Sequence, residues 1–121
     1  MIRVITNFKK ATGKSAEWCS EYYRKSHVEL AHNAFSQFPA VKKFSVTKVL
    51  NQMEVIRGGK AIAEPEVLWF SEIYFDSPRD FEHYLQVANV NEQIEDDRRY
   101  ASEVNVYVCL PEEVILSRDD K

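Results

Sequence analysis

The chain has 121 residues, of which 45% are hydrophobic and 29% are charged, with seven Phe, six Tyr and two Trp. This composition is too aromatic for a disordered chain, and no stretch approaches the roughly 18 apolar residues of a membrane span, so we expect one globular domain over residues 1–121 and no membrane partner. The formal charge is −3 and the Lys and Arg residues are scattered, which argues against a nucleic-acid partner.

The first two predicted elements are a strand and an amphipathic helix. Residues 2–8 are β-branched and apolar, which is typical of a strand, and the turn-forming pair Thr12-Gly13 closes it. Ser15 is a good N-cap for a helix over about residues 17–35. With successive residues placed about 100° apart, one arc of this helix is apolar and should be buried. The residues of that arc are Trp18, Cys19, Tyr22, Tyr23, Leu30 and Ala34.

Two strands and a connecting segment follow. Residues 41–50 alternate between apolar and polar, which predicts a half-exposed strand. Residues 51–65 carry two glycines and several charges, and we expect a protruding hairpin or a flexible loop. Residues 66–76 are nearly continuously apolar, which is typical of a strand covered on both faces. The apolar face of the first of these strands carries Phe44, Val46 and Leu50.

The last part of the chain predicts two helical pieces and a strand. Ser77-Pro78 combines a hydroxyl N-cap with a proline at the first helical position. Residues 92–101 continue as a second helical piece, residues 104–110 alternate as a strand, and the acidic tail from Ser117 is expected to fray. The buried stripe of the first helical piece is Phe81, Tyr84, Leu85 and Ala88.

The order of these elements is β-α-β-β-α-β. This split pattern predicts an α+β, ferredoxin-like fold, with a four-stranded antiparallel sheet and the helices on one face. The other face would carry large residues from the second, third and fourth strands, too much apolar surface for a monomer to leave exposed. We therefore expect a homodimer that buries this face.

The cysteines and the N-terminus bear on the cellular compartment. Cys19 and Cys109 lie far apart in apolar segments, as small core residues do, and they suggest neither a disulfide framework nor a metal pair. The first ten residues lack the apolar run and cleavage site of a secretory signal. We therefore expect free cysteines and a cytoplasmic protein.

His27 is the histidine whose position suggests chemistry. It lies at the edge of the apolar arc, one turn before the small residues Ala31 and Ala34, which would leave a void above the sheet. A histidine at the mouth of such a void is either a hydrogen-bonded core residue or a group that moves protons at neutral pH. His32 and His83 fall on charged faces and are expected to be solvated.

Two acidic features stand out. Glu72 lies in the middle of an apolar strand, so it is on a solvated sheet face, paired at a dimer seam, or directed into a cavity. Residues 96–100, which read DDRRY, are a mixed-charge run that is either a solvated helix face or part of a site. No metal, phosphate or nucleotide motif accompanies them.

Three segments resemble a known family. Residues 21–31, which read EYYRKSHVELA, are similar to the Tyr-Tyr-x-x-x-His-x-x-Leu helix of the EthD-like family of dimeric α+β barrel proteins. Residues 72–78, which read EIYFDSP, resemble its strand-to-helix signature. Asp96, followed four residues later by the aromatic Tyr100, matches its acidic second helix.

The resemblance implies a ferredoxin-like homodimer whose sheets close into a barrel, with a pocket between each sheet and its own helices. Members and close relatives include lactone isomerases and fungal polyketide dehydratases and cyclases. More distant ones are haem-degrading and quinol-oxidising monooxygenases, and most relatives use no cofactor. By this resemblance His27 is the pocket histidine and Asp96 the acidic residue, while Tyr23 and Trp69 are wall residues.

These observations together suggest a function. We expect a cofactor-independent isomerase, dehydratase or cyclase that acts on a small unsaturated lactone or an aromatic polyketide, with His27 as general base. Tyr23, Glu72 or Asp96 would be the proton donor or orienting group. The alternatives are a non-catalytic small-molecule binding protein of a catabolic pathway, and a cofactor-free or haem-dependent monooxygenase. The expected substrate-binding residues are Trp69, Tyr22 and Tyr100.

Overall fold

The strands and helices are those of a computed structural model, which describes residues 1–55, 58–62, 64–88 and 90–112. The strands are β1 (Ile2–Lys10), β2 (Val41–Lys48), β3 (Gln52–Glu54), β4 (Lys60–Ile62), β5 (Trp69–Phe75) and β6 (Ala101–Cys109). The helices are α1 (Ala16–Tyr22), a π-helical turn (Tyr23–His27), α2 (Val28–Ser36), α3 (Pro78–Val87) and α4 (Val90–Tyr100). Among the residues described, no helix is long and apolar enough to cross a membrane.

A four-stranded antiparallel sheet of order β2-β5-β1-β6 forms the base of the fold. The helices pack on the sheet face that carries Val4, Ile73 and Phe75. Strands β3 and β4 form a separate hairpin. The chain order and the strand order confirm the predicted α+β, ferredoxin-like fold.

Two serine caps start the helical segments, as the sequence predicted. The Ser15 hydroxyl accepts a hydrogen bond from the backbone N–H of Trp18 at 3.0 Å. The Ser77 hydroxyl accepts one from the backbone N–H of Asp80 at 3.3 Å, and Pro78 occupies the start of α3, where a missing N–H costs nothing. These local signals fix where the helices leave the sheet.

The first helix is interrupted by the π-helical turn. The backbone N–H of Val28 donates to the carbonyl oxygen of Tyr23, five residues earlier, where an α-helix would use a partner four residues earlier. The extra residue rotates the following segment by about 100° relative to a straight α-helix. One α-helical projection therefore cannot describe both halves of this helix.

This rotation changes which residues of the predicted arc are buried. Cys19, which precedes the turn, and Tyr23, which begins it, are buried as predicted. Beyond it, the buried residues are Ala31 and Phe35. The predicted Leu30 and Ala34 are only half-buried, because the inserted residue moves the buried positions one place along the chain.

Strand β5 is covered on one face and not on both. The residues buried beneath the helices are Trp69, Ser71, Ile73 and Phe75. The half-buried residues of the outer face are Phe70, Glu72 and Tyr74. The prediction of two covered faces is wrong for the chain by itself, because the helices of this antiparallel sheet lie on one side.

The outer sheet face mixes apolar and polar side chains. Its large apolar or aromatic residues are Ile5, Phe70, Tyr74 and Tyr107. Strand β2 contributes Lys43, Ser45 and Thr47 to this face. The expectation that the second strand adds large apolar residues to the outer face is therefore wrong, because its apolar residues Phe44 and Val46 face the helices.

Other differences from prediction are confined to single residues and short segments. Leu50 follows the end of β2 and is 88% exposed, so it does not extend the apolar face. Trp18 and Leu85 are also exposed instead of buried. The described part of residues 51–65 contains the β3–β4 hairpin, and the tail from Ser117 lies outside the described residues.

Two clusters of buried side chains form the core, and a cavity separates them. The first cluster includes Val4, Phe35, Ile73, Phe75 and Tyr84. The second includes Phe8, Cys19, Tyr23, Trp69 and Tyr100. Residues of both clusters line the cavity, so the fold leaves a space at the junction of its two packed halves.

Candidate active site

The cavity has a volume of about 260 Å³ and lies between the sheet and the helices. Most of its wall is apolar or aromatic. Sites for drug-sized ligands have volumes of roughly 300–1,000 Å³, so this cavity suits a smaller molecule. The lining residues with a titratable side chain are Tyr23, His27, Tyr84, Asp97 and Tyr100.

The π-helical turn supplies two of these wall residues. Tyr23 and His27 begin and end the turn, and their rings stack with centroids 5.6 Å apart. Ala31, one turn further on, leaves the space above the sheet that the sequence predicted, whereas Ala34 does not line the cavity. Single π turns within α-helices occur frequently at functional sites.

The imidazole of His27 is held between two carboxyl groups. Its Nδ1 lies 2.8 Å from Oδ2 of Asp96, and its Nε2 lies 3.3 Å from Oδ1 of Asp97. Consecutive residues of α4 reach opposite sides of the ring because their side chains diverge by about 100°. The Nδ1 contact is a hydrogen bond, whereas the Nε2 contact is an ion-pair distance. A proton held between Nε2 and Asp97 can lie on the imidazole or on the carboxyl group.

Asp96 anchors the ring from behind. It is 7% exposed and does not line the cavity. Its Oδ1 accepts a hydrogen bond from the Tyr22 hydroxyl at 2.6 Å and lies 3.5 Å from Nη1 of Arg99. Arg99 also donates to the Tyr22 hydroxyl at 3.3 Å. These contacts hold Asp96 against Nδ1 and leave Nε2 directed toward Asp97.

Asp97 is the carboxyl group that lines the cavity. Burial raises the pKa of Asp97 above its usual value, and the negative charge of Asp96 adds to the rise. The Tyr100 hydroxyl, which donates to Oδ1 of Asp97 at 2.5 Å, and His27 both act in the opposite direction. Burial prevails, so Asp97 holds a proton more tightly than a solvated aspartate does.

Two tyrosines of the wall stay protonated. Burial raises the pKa of Tyr23 to about 12, although a hydrogen bond with Ser71 opposes the rise. Burial, followed by the nearby charge of Asp97, also raises the pKa of Tyr100. Both hydroxyl groups are therefore neutral at physiological pH and can donate hydrogen bonds.

The arrangement has the parts needed to move a proton. Because His27 and Asp97 hold one proton and one vacant acceptor position between them, they can take a proton from one ligand atom and return one to another. Tyr23 can donate a hydrogen bond to an oxygen that gains negative charge. The apolar wall excludes water and strengthens these interactions.

The structure brings together four of the seven residues predicted for the site: His27, Asp96, Tyr23 and Tyr100. Tyr22 touches Asp96 but does not line the cavity. Trp69 lies behind Tyr23, with ring centroids 5.4 Å apart, and its indole N–H donates to the Ser20 hydroxyl at 2.8 Å. Neither Tyr22 nor Trp69 reaches the space where a ligand would sit.

Glu72 lies away from these residues. It is on the outer sheet face, where it accepts a hydrogen bond from the Tyr74 hydroxyl at 3.1 Å and lies 3.8 Å from Arg3. The sequence left three positions open for Glu72: a solvated sheet face, a dimer seam and a cavity. The cavity is excluded, because alternate residues of β5 point to opposite faces of the sheet.

Asp97 is the site residue that sequence reasoning did not single out. The resemblance points to Asp96, whereas the sequence leaves Asp97, within the run 96–100, open between a solvated helix face and part of a site. The signal available in the sequence was the pair of consecutive acids, Asp96 and Asp97. On one helix these two acids and the buried Tyr100 cannot all face solvent. Asp97 is nonetheless the acid that a ligand would meet.

The site offers little to a metal ion or haem. Within residues 1–55, 58–62, 64–88 and 90–112, no group of three His, Cys, Asp or Glu side chains is arranged to hold a metal ion. Both ring nitrogens of His27 face carboxyl groups, so neither is open to a haem iron.

Fold and site together define a ferredoxin-like α+β protein with a histidine and one acid on the wall of a cavity and a second acid behind the histidine. No protein-family model matches the sequence, and no curated protein matches it. An EthD family protein from Bacillus halodurans has the same fold, with a TM-score of 0.67, 14% identity, and coverage of 93% of this chain and 99% of that chain. This similarity confirms, at the level of the fold, the resemblance seen in the sequence.

Two further solved structures share the fold. A dimeric protein of unknown function and ferredoxin-like fold from Bacteroides fragilis has a TM-score of 0.66 and 12% identity, over 89% of this chain and 93% of that chain. The hydroxynitrile lyase from Passiflora edulis has a TM-score of 0.65 and 13% identity, over 95% of this chain and 96% of that chain. At such identities the similarity establishes the fold and not the activity.

Proposed function

We propose that this protein is a cofactor-independent enzyme that transfers protons on a small, largely apolar carbonyl compound. The observation that carries the proposal is the imidazole of His27, held between Asp96 and Asp97 on the wall of a 260 Å³ cavity. The hydroxynitrile lyase from Passiflora edulis has the same fold, which supports the proposal that this protein is an enzyme acting on a small molecule.

The proposed step is removal of a proton from the carbon next to a carbonyl group. The vacant acceptor of the His27–Asp97 pair takes that proton, and the electron pair of the broken C–H bond moves onto the carbonyl oxygen. Tyr23 donates a hydrogen bond to this oxygen. The proton that His27 and Asp97 already share is then delivered to another carbon, which gives an isomer of the substrate with the same atoms.

The size of the cavity favours a small unsaturated lactone over a polycyclic polyketide. A five-membered lactone has few heavy atoms, whereas a fused aromatic polyketide is at least drug-sized and calls for a volume in the range of roughly 300–1,000 Å³. Among the substrates expected from the sequence, the lactone is therefore the one we propose.

An isomerisation assay tests this function. The probe is α-angelica lactone, a β,γ-unsaturated five-membered lactone, whose conversion to the conjugated isomer is followed by ultraviolet absorbance and by deuterium uptake in D₂O. We expect catalysis by the native protein, and a loss of about 10²–10⁴-fold in His27→Gln and Asp97→Asn. The control is His83→Gln, which changes an exposed histidine of α3.

The same assay separates the alternatives. A probe that binds in the cavity but is returned unchanged and without deuterium would support the non-catalytic binding protein. Consumption of dioxygen by the native protein with a suitable ligand would support the monooxygenase. Equal rates for the native protein and His27→Gln would overturn the proposed role of His27.

We also propose that the protein is a homodimer joined through the outer sheet face. Phe70 and Tyr74 are half-buried there and Tyr107 is 53% exposed, so a second copy would cover aromatic surface. The protein of similar fold from Bacteroides fragilis is dimeric. Sedimentation should give twice the chain mass of 14.1 kDa, and Tyr107→Glu should give a monomer while Val87→Glu, on the exposed side of α3, should not. A native monomer would contradict the proposal.

The cytoplasm is the compartment we propose. Cys19 and Cys109 are both free, which is the state that a reducing compartment maintains. Two titratable thiols in the denatured protein, purified without reductant, would agree with this. A Cys19–Cys109 disulfide in the purified protein would contradict the proposed compartment.

A further inference from the structure

We infer that the cavity selects uncharged ligands and rejects carboxylates and phosphates. This rests on the proposed function and narrows its substrate class to neutral carbonyl compounds, such as lactones and esters without an acidic group. The inference follows from the charges of the cavity wall and of the groups directly behind it.

The wall carries negative charge without a matching cation. Of the described residues that line the cavity, none is Lys or Arg, and Asp97 is the one acid. Asp96 places a second carboxylate just behind the imidazole of His27. Whether the proton between His27 and Asp97 lies on the imidazole or on the carboxyl group, these three side chains carry a net negative charge. An anionic ligand would therefore meet a net negative cluster in a largely apolar cavity, where charge repulsion is stronger than in bulk water.

His27 cannot serve as the anchor for an anion. Its Nδ1 is hydrogen-bonded to Asp96 at 2.8 Å, and its Nε2 already faces the carboxyl group of Asp97 at 3.3 Å. A ligand carboxylate could bind Nε2 only by displacing Asp97, which would leave the half-buried Asp97 carboxylate with the Tyr100 hydroxyl as partner but without the imidazole. That displacement is strongly unfavourable.

The arginines of α4 do not change this balance. Arg98 lies 3.1 Å from Glu95, and Arg99 lies 3.5 Å from Asp96. Both side chains are exposed, and neither lines the cavity. Their charges are therefore directed to other acids and screened by solvent.

The remaining polar groups of the wall suit a neutral oxygen. The Tyr23 hydroxyl is a protonated donor, and the Gln93 amide donates to the Tyr84 hydroxyl at 2.8 Å. Such groups hydrogen-bond to a carbonyl or ester oxygen without neutralising a charge. The wall thus combines apolar contact with neutral donors, which is the complement of an uncharged carbonyl compound.

A matched pair of probes tests the inference. One probe is a five-membered unsaturated lactone with a carboxymethyl group, and the other is its methyl ester. Binding is measured near neutral pH by the amide chemical shifts of Ala31 and Ile73, two lining residues. We expect the ester to bind at least about tenfold more tightly than the acid. Equal affinities, a preference for the acid, or no binding of the ester would overturn the inference.

Two variants identify the source of the selectivity. Asp97→Asn keeps an acceptor for the Tyr100 hydroxyl but removes the charge, so the preference for the ester should shrink by at least about threefold. Glu95→Gln removes an exposed acid of the same helix and should leave the preference unchanged. A preference that is the same in Asp97→Asn and in the native protein would refute the role of the wall charge.

The binding and turnover results separate this inference from the proposed function. If acid and ester bind equally while His27→Gln still abolishes proton exchange on the ester, charge selection fails and the acid–base function stands. If the ester binds selectively but no proton exchange occurs, the proposed enzyme activity fails and the charge selection describes a binding site.

Discussion

The substitution Asp96→Asn tests how the imidazole of His27 is oriented. In the native protein Nδ1 of His27 faces Oδ2 of Asp96, while Oδ1 accepts from Tyr22 and lies near Arg99. An asparagine would keep its carbonyl oxygen on the side of Tyr22 and the positive Arg99, so its NH₂ group would face Nδ1. His27 would then have to accept at Nδ1 and carry its proton on Nε2.

Both a catalytic and a structural loss follow from this change. With its proton on Nε2, the imidazole cannot accept a proton at that atom and only Asp97 remains as an acceptor, so turnover should fall. In the Ser-His-Asp triad, where the histidine is the sole base, the same change of tautomer costs about 10⁴-fold in turnover. Asp96 makes two hydrogen bonds, to Tyr22 and His27. Replacing bonds to a charged group, worth about 1.5–3 kcal/mol each, by neutral ones worth about 1 kcal/mol each leaves a loss of about 1–4 kcal/mol in the free energy of unfolding.

The assay needs no known substrate. Nitrogen-15 NMR of the imidazole should show the proton of neutral His27 on Nδ1 in the native protein and on Nε2 in Asp96→Asn, and urea denaturation should show the loss of stability. Glu95→Gln is the control, because its side chain is 68% exposed and one residue away. The reasoning would be refuted by an unchanged tautomer, or by an Asp96→Asn variant as stable and as active as the control.

Three further predictions concern stability. The pKa of Asp97 is higher in the folded protein than its usual 3.8, so its contribution to stability is complete below that value and is lost as pH rises through the folded pKa. The unfolding free energy of the native protein relative to Asp97→Asn should therefore fall over that range, and parallel pH profiles would contradict this. Phe75 is fully buried against Phe81 and Tyr84, so Phe75→Ala should cost about 3–5 kcal/mol by urea denaturation, and a loss below about 1 kcal/mol would show that the first core cluster is misassigned. Cys19, with 0% exposure, should react with a thiol reagent after Cys109 in the folded protein, and Cys19→Ser should cost about 1–2 kcal/mol.

The fold was predictable because its signals are local. The caps at Ser15 and Ser77 and the alternation of residues 41–48 each depend on a few neighbouring side chains. The continuous apolar run of β5 misled because Phe70 and Tyr74 are large on the outer face too, and a one-dimensional pattern cannot tell which face has a cover.

The site was only partly predictable. The resemblance pointed to His27 and Asp96, and both lie together. The π turn could not be predicted, because its hydrogen bond from Val28 to Tyr23 has no residue-type signature in this sequence. The role of Asp97 depends on the ring of His27 entering between two consecutive side chains, which is a tertiary contact that helix periodicity does not contain.

The π turn also means that the length of the first helix can change by one residue without disturbing the rest of the protein. Deleting Ser26 would convert the five-residue turn into an ordinary α-helical one, so α1 and α2 could each keep their own packing against the sheet. Only the spacing between Tyr23 and His27 would be altered. A change of one residue in the length of this helix is therefore absorbed at the cavity wall, between Tyr23 and His27, and not in the packing of the core.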